Sequence, residues 1–255
     1  MQVNCQGLVL KHVKTGGDSL LKIFTKELGK ITVAVSLKEV SSTKKAKLPV
    51  KPFTVSNYNL YRGRSGYRYN SGDVVRSFFS IGEDFERFAY GSLALELVDA
   101  VLEEDQEEGR IYALLVEFLK WMENPKVDGA TLVIAFEIKL LKLLGLRPIT
   151  HVCTHCGKVP ESSLFSVDDG GALCKDCYKN AKIKEGQFSS PPLIYSCKFD
   201  IMSTIDYFDK RPFKDFEKVK LRPAVSMNMM EIIENYLKIH LQIGELKSNK
   251  LLGDI

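Results

Sequence analysis

What the chain lacks narrows its identity first. Its most apolar run, Leu132 to Leu146, is interrupted by Glu137, Lys139 and Lys142, which makes it a core helix rather than a membrane span. The opening MQVNCQGLVLKHV has no charged segment leading into a long apolar one, so no signal peptide is expected. Histidine is scarce, with 4 in 255 residues, and His12 and His240 stand alone, which suits structural roles. There is no glycine loop with a lysine to cradle phosphates, no H-E-x-x-H pair, and no Ser-His-Asp or Cys-His context. Enzymatic activity is therefore unsupported. The one dense carboxylate cluster, Glu103-Glu104-Asp105-Gln106-Glu107-Glu108, falls at a helix junction with no histidine or apolar wall beside it. It reads as a solvated acidic connection. Of 6 cysteines, Cys5 and Cys197 lie far apart and nothing resembles a disulfide framework, so a reducing, intracellular setting is expected.

What the chain has begins with charge. Its net charge of +4 is unevenly spread. Residues 1–80 hold 10 Lys and 4 Arg against 2 Asp and 2 Glu, a net +10, which leaves −6 on the rest. A basic first third points to a polyanionic partner, nucleic acid before a merely solubilising surface. The same residues read as β. Gly7–Val13, Leu20–Thr25, Lys30–Ser36, Phe53–Arg62 and Tyr67–Phe79 are strands, with turns at Leu28-Gly29-Lys30 and Gly63-Arg64-Ser65-Gly66. Five short strands suit a small closed barrel, an OB-fold first and an SH3-like barrel second.

From Asp84 the apolar spacing turns helical, through Phe85, Phe88, Ala89, Leu93, Leu97 and Val101. A second helix carries Ile111 to Met122 and ends at Asn124-Pro125. A third runs from about Thr131 to Leu144 and stops at Gly145 and Pro148. It is apolar nearly all round, as the centre of a bundle would be. Later helices over Phe199–Phe208 and Ser226–Gln242, with Ser226 as N-cap, are expected to rejoin the first three.

Between them lie Cys153-Thr154-His155-Cys156 and Cys174-Lys175-Asp176-Cys177, two C-x-x-C pairs separated by 17 residues. That spacing fits a four-cysteine Zn²⁺ site. Two intervening residues let both thiolates of a knuckle reach one ion, and four sulfurs leave no open position, so the zinc is structural. Ser163–Val167, Asp168-Asp169-Gly170-Gly171 and Ala172-Leu173 read as strand, tight turn and returning strand. His151 and His155 flank the first pair as bystanders. The fold class is thus α+β multidomain: an OB-fold-like DNA-binding barrel over 1–80, the first part of a helical domain over 81–150, an inserted zinc-binding module over 151–180, and completion of the helical domain over 181–255.

Asn57 to Tyr69 interleaves aromatics with arginines around glycines. Arginine pairs with phosphate, and tyrosine stacks on unpaired bases at about 1–3 kcal/mol per base without sequence preference. Arg62, Arg64 and Arg68, with two of Tyr61, Tyr67 and Tyr69 exposed, are the expected DNA contacts. The bland alternative is that these tyrosines fill the barrel. Lys44, Lys45 and Lys47 form a second basic group on a loop, and Lys11 and Lys51 add to the same surface.

The order of basic barrel, helices, four-cysteine module and returning helix resembles the RecO family of bacterial DNA repair and recombination mediators. Further matching pieces are Gly7-Leu8-Val9-Leu10-Lys11, Phe24 to Lys30, Lys51-Pro52-Phe53, and Phe136 to Leu141 with Leu144-Gly145-Leu146-Arg147-Pro148 before the first knuckle. Tyr236-Leu237 and Lys247 to Leu251 fit the tail. The resemblance covers essentially the whole chain. One departure is Ser36-Leu37-Lys38-Glu39-Val40, where the family carries a Gly-Ala-Arg-Arg-like stretch. The resemblance implies a non-enzymatic protein of the cytoplasm and nucleoid that binds single- and double-stranded DNA and anneals complementary strands. With RecR, and in some cases RecF, it would help RecA displace single-stranded DNA-binding protein (SSB). It also places an apolar pocket for the acidic, apolar SSB C-terminal tail in the helical domain, rimmed by Lys139, Lys142 or Arg147.

Overall fold

Alternation along the first strands closes into a barrel because one face of each strand is apolar and the other polar. The computed structural model describes residues 1–15, 18–36, 45–64, 66–183 and 192–252. Strands β1 (Gln2–Thr15), β2 (Asp18–Thr25), β3 (Gly29–Ser36), β4 (Thr54–Gly63) and β5 (Gly66–Ser77) form a closed barrel in the order β1-β2-β3-β5-β4. The long β1 pairs with β4 through its first half and with β2 through its second. A short parallel contact, Val33↔Tyr67 and Ala34↔Arg68, joins β3 to β5 and shuts the cylinder. This five-stranded topology is the OB-fold. Val9, Leu21, Ile23, Ile31, Val33, Tyr58 and Leu60 fill its interior. A 3₁₀ segment, Lys45–Val50, precedes β4 and gives the Pro49 carbonyl to the buried Tyr58 hydroxyl at 2.5 Å.

The chain divides into two units, Met1–Asn124 with Leu246–Ile255, and Pro125–Glu245. These boundaries run differently from the segmentation at 80/81 expected from composition. In the first unit, α1 (Phe85–Val101) and α2 (Gly109–Met122) accompany the barrel. Asp84 caps α1 by accepting the Arg87 N–H at 2.9 Å. Phe24 of β2 meets Tyr112 of α2 edge-on, with ring centroids 5.5 Å apart. The short α7 (Ser248–Leu252) returns to this unit, where the Lys247 and Ser248 N–H groups donate to Glu96.

In the second unit, α3 (Gly129–Leu143) is the central element. Its residues 129 to 138 are buried without exception, which requires neighbours on all sides. They are α5 (Ile201–Lys210), the Phe213–Phe216 turn and α6 (Pro223–Leu241). Phe208, Phe213 and Phe216 form an edge-to-face aromatic group, and each such buried ring contributes about 1.5–3 kcal/mol. The late helices therefore rejoin α3, while α1 and α2 belong with the barrel. Helix α6 begins three residues ahead of Ser226, with Pro223 at its first turn, and Ser226 instead donates to the Pro223 carbonyl. Between α3 and α5, β6 (Leu164–Ser166), β7 (Gly171–Leu173) and β8 (Ile194–Ser196) make a three-stranded sheet in the order β7-β6-β8. Helix α4 (Lys175–Ile183) carries the second cysteine knuckle.

Candidate functional site

The hairpin of β4 and β5 decides which aromatic residues face out. Tyr58 and Leu60 point into the barrel, so Asn57, Asn59 and Tyr61 point out. On β5, Tyr67 and Tyr69 point in, while Arg68 and Asn70 point out. Tyr61 is 54% exposed, whereas Tyr67 and Tyr69 are at 9% and 7%. The expectation of two exposed rings among the three is thus corrected to one. Tyr69 packs edge-on against Tyr58 inside the barrel, and the Arg62 guanidinium lies 5.4 Å from the Tyr67 ring centroid. Arg62, Arg64 and Arg68 are all exposed around this end of the hairpin. The Met1 ammonium donates to the Arg62 carbonyl and adds charge beside them. Lys11, Lys47 and Lys51 are exposed elsewhere on the unit. Lys45 opens the 3₁₀ segment, and Lys44 lies outside the described residues.

The acidic stretch is not a free connection. Glu104 forms a parallel bridge with Lys30, the Asp105 N–H donates to the Lys30 carbonyl at 2.8 Å, and the Thr32 hydroxyl donates to Glu104 at 2.8 Å. Lys22 and Lys30 both reach Asp99 of α1, at 3.0 and 3.5 Å. Carboxylates therefore occupy the outward side of β2 and β3, and the barrel's available positive charge is left to the hairpin arginines and the exposed lysines. Sequence reasoning missed this docking because it pairs residues about 70 positions apart.

The four cysteines converge as their spacing requires. Their Sγ atoms all lie within 4.8 Å of one another, and Cys156 Sγ is 3.7 Å from Cys174 Sγ. A tetrahedral ion with Zn–S bonds of about 2.3 Å sets its sulfurs about 3.8 Å apart, so the set fits. The Cys174 N–H points at Cys153 Sγ, and the Cys177 N–H points at Cys174 Sγ. Burial opposes ionisation of Cys153, but the N–H groups of Cys174, Cys156 and His155 outweigh it and bring that thiol down to about 6. Cys177 is pushed upward by the thiols around it, Cys174 foremost. Such a cluster is poised to hold a cation. Among the described residues the cluster contains cysteines alone. His155 faces Asp169 at 2.9 Å and His151 faces Asp206 at 3.0 Å.

A model of the RecO N-terminal region, "Recombination protein O N terminal", matches residues 1–78, and one of its C-terminal region, "Recombination protein O C terminal", matches residues 82–250. The chain belongs to the RecO family. A protein named DNA repair protein RecO from Alkaliphilus metalliredigens is 32% identical over 246 residues, covering 94% of each chain. Its namesake from Caldanaerobacter subterraneus is 29% identical, covering 93% of this chain and 92% of that one. A third, from Acetivibrio thermocellus, is 33% identical over 71% of this chain and 74% of its own. The general role is DNA repair and recombination. No helix among the described residues is long and apolar enough to cross a membrane.

In this RecO chain the three basic residues expected beside a partner pocket come together on α3 and just beyond it, but around an acid. Lys142 and Arg147 reach the Asp209 carboxylate at 2.8 Å each, and Lys139 donates to the Asp209 carbonyl at 3.2 Å. Arg147 also reaches Asp206 at 2.7 Å. Their charge is thus largely engaged within the unit, with Lys142 the most open, its side chain 51% exposed. Burial acts against the charge on Asp209, but these cations prevail and hold its carboxyl below the ordinary 3.8. Two residues before Lys139 on α3, Glu137 is buried at 5% exposure, and burial, aided by Glu234, pushes its carboxyl up to about 8.

Proposed function

We propose that this protein is a non-enzymatic recombination mediator that binds single- and double-stranded DNA through its barrel and anneals complementary strands. It helps RecA load onto SSB-coated single strands together with RecR, and with RecF in some settings. It works in the cytoplasm at the nucleoid. The observation that carries the reading is the hairpin end of the barrel, where Arg62, Arg64 and Arg68 stand exposed beside the open ring of Tyr61. Three mobile cations can neutralise phosphates on two strands at once, which lowers the repulsion between them and makes binding strongly salt-dependent. A single open tyrosine stacks on a base of any identity. The cysteine cluster holds Zn²⁺ as a structural ion; Cys153, Cys156, Cys174 and Cys177 fix the hairpin of β6 and β7 and take no part in the DNA chemistry. The SSB tail meets the second unit near Lys139, Lys142 and Arg147, with Lys142 the residue most available to its carboxylates.

The test is annealing of complementary SSB-coated oligonucleotides by the wild type and by the Arg62→Ala/Arg64→Ala/Arg68→Ala variant. Fast annealing by the wild type, lost in a folded variant together with a shallower salt dependence, is the expected result. No annealing by the wild type would leave the family membership as a statement about fold and shift the function to a protein adaptor.

A further inference from the structure

We propose that the outward face of β1, β4 and β5 is a binding surface for the base edges of single-stranded DNA, distinct from the arginine end of the hairpin that takes the phosphates. The strand register builds this face in rows. Gln2 pairs with Tyr61 and Tyr61 with Arg68; Asn4 pairs with Asn59, and a bulge in β5 brings Asn70 alongside; Gln6 pairs with Asn57 and Asn57 with Asp73. The middle row is a chain of amides. Asn70 Nδ2 donates to Asn59 Oδ1 at 2.8 Å, and Asn59 Nδ2 donates to Asn4 Oδ1 at 2.8 Å. In the next row Gln6 Nε2 donates to Asn57 Oδ1 at 3.0 Å. All three bonds are solvent-exposed.

These bonds orient the amides and leave their other halves free. Asn4 and Asn57 keep spare N–H donors, while Asn70 and Gln6 keep spare carbonyl acceptors. A donor and an acceptor side by side are what a nucleobase edge presents, and asparagine and glutamine match such edges. Charge supports the assignment. The barrel region carries a net +10, yet beyond Arg68, where the face borders the arginine end, these rows contain only Asp73 as a charged member, so a phosphate chain has little reason to lie across the two amide rows. Unpaired bases do, with Tyr61 at the end of the face to stack on one. The opposite side of the barrel is closed to a polyanion. OB-folds commonly hold oligonucleotides on β2 and β3, but here Asp99 and Glu104 lie over those strands. The amide contacts are neutral and weak enough for an incoming complementary strand to replace them. The inference rests on the barrel being the DNA-binding element.

The test uses the full chain with Asn4→Ser/Asn70→Ser, which removes the spare donor and the spare acceptor of the middle row. Three probes are compared: a mixed-sequence single strand, the same strand with abasic sites, and the duplex. The expected result is a loss of about tenfold in affinity for the base-bearing single strand, as two neutral hydrogen bonds would give. Affinity for the abasic strand and the duplex stays unchanged, and so does the salt slope, because no phosphate contact is removed. An equal loss on the abasic strand, or no loss at all, overturns the inference. Should the double variant unfold, Asn4→Ser removes one spare donor at the end of the row and is read by the same contrast. The Arg62/Arg64/Arg68 variant, measured in parallel, separates the two readings. An unchanged affinity and salt slope there refutes phosphate binding at the hairpin, whereas the base-versus-abasic contrast judges the amide face on its own.

Discussion

Glu137→Gln should stabilise this protein, and by an amount that depends on pH. Glu137 sits on α3 at 5% exposure, and its carboxyl is raised from 4.5 to about 8, by burial first and by Glu234 of α6 second. The folded protein therefore keeps a proton that the unfolded chain releases above pH 4.5. The stability linked to that proton is fully present below the unfolded value and declines as pH rises, until the folded carboxyl also ionises near pH 8. Each unit corresponds to about 1.4 kcal/mol. The wild type thus forfeits under about 1 kcal/mol at pH 5 but about 3 kcal/mol at pH 7 relative to a side chain that never ionises. Glutamine has the same shape and no proton to lose. At about 3 °C per kcal/mol for a chain of this size, the variant should melt about 9 °C higher at pH 7 and about 2 °C higher at pH 5. Differential scanning calorimetry of both proteins across that range measures the gap directly. A gap that stays constant with pH, or a glutamine variant less stable at pH 7, would refute the reasoning that Glu137 is buried as the neutral acid.

Three further outcomes follow from particular contacts. Chelation, or Cys174→Ser, should release one zinc per chain to a colorimetric indicator while far-ultraviolet circular dichroism keeps most of its helical signal, because α3, α5 and α6 share a core of their own; complete loss of helix would contradict this. Asp209→Asn should cost about 2 kcal/mol at pH 7 in urea unfolding, since Asp209 is only 4% exposed in its side chain and pairs with Lys142 and Arg147. Its carboxyl is held below 3.8, so this stabilisation is present above the unfolded value and lost as pH falls through the folded one, and the variant should show a flatter acid limb. Gly29→Ala should lower stability by about 2–4 kcal/mol, because Gly29 has φ of +69° and an added Cβ would lie 2.1 Å from the Gln106 carbonyl oxygen; a melting point equal to wild type would show that the acidic stretch is not seated on β3.

Much of this architecture was legible because the deciding signals are local. The five strands, the three helices before Pro148 and both cysteine knuckles stand within a few residues of where period, breaker and spacing place them. The direction of Tyr67 and Tyr69 was not legible. A stretch in which both parities carry tyrosine or arginine gives no hint of which parity faces the core, and the bulges beside Ser56 and Asn70 reset the register. The grouping of α1 and α2 with the barrel was hidden for another reason. It depends on Lys22 and Lys30 meeting Asp99, and on Glu104 lying beside Lys30, and charge pairs so far apart leave no periodic trace. Asp209, likewise, gathers Lys142 and Arg147 across more than 60 positions of chain.

The return of α7 has a consequence for how the protein is made. Glu96, in the middle of α1, receives its two N–H donors from Lys247 and Ser248, and Ser248 is buried there. Translation delivers the barrel, α1 and α2 first, then the whole of Pro125–Glu245, and only afterwards the residues that finish the first unit. Domains generally fold as they emerge, so the first unit must wait, one docking site unfilled, while its successor is synthesised. Deleting Lys247 to Leu252 would therefore be felt at a helix encoded some 150 codons upstream.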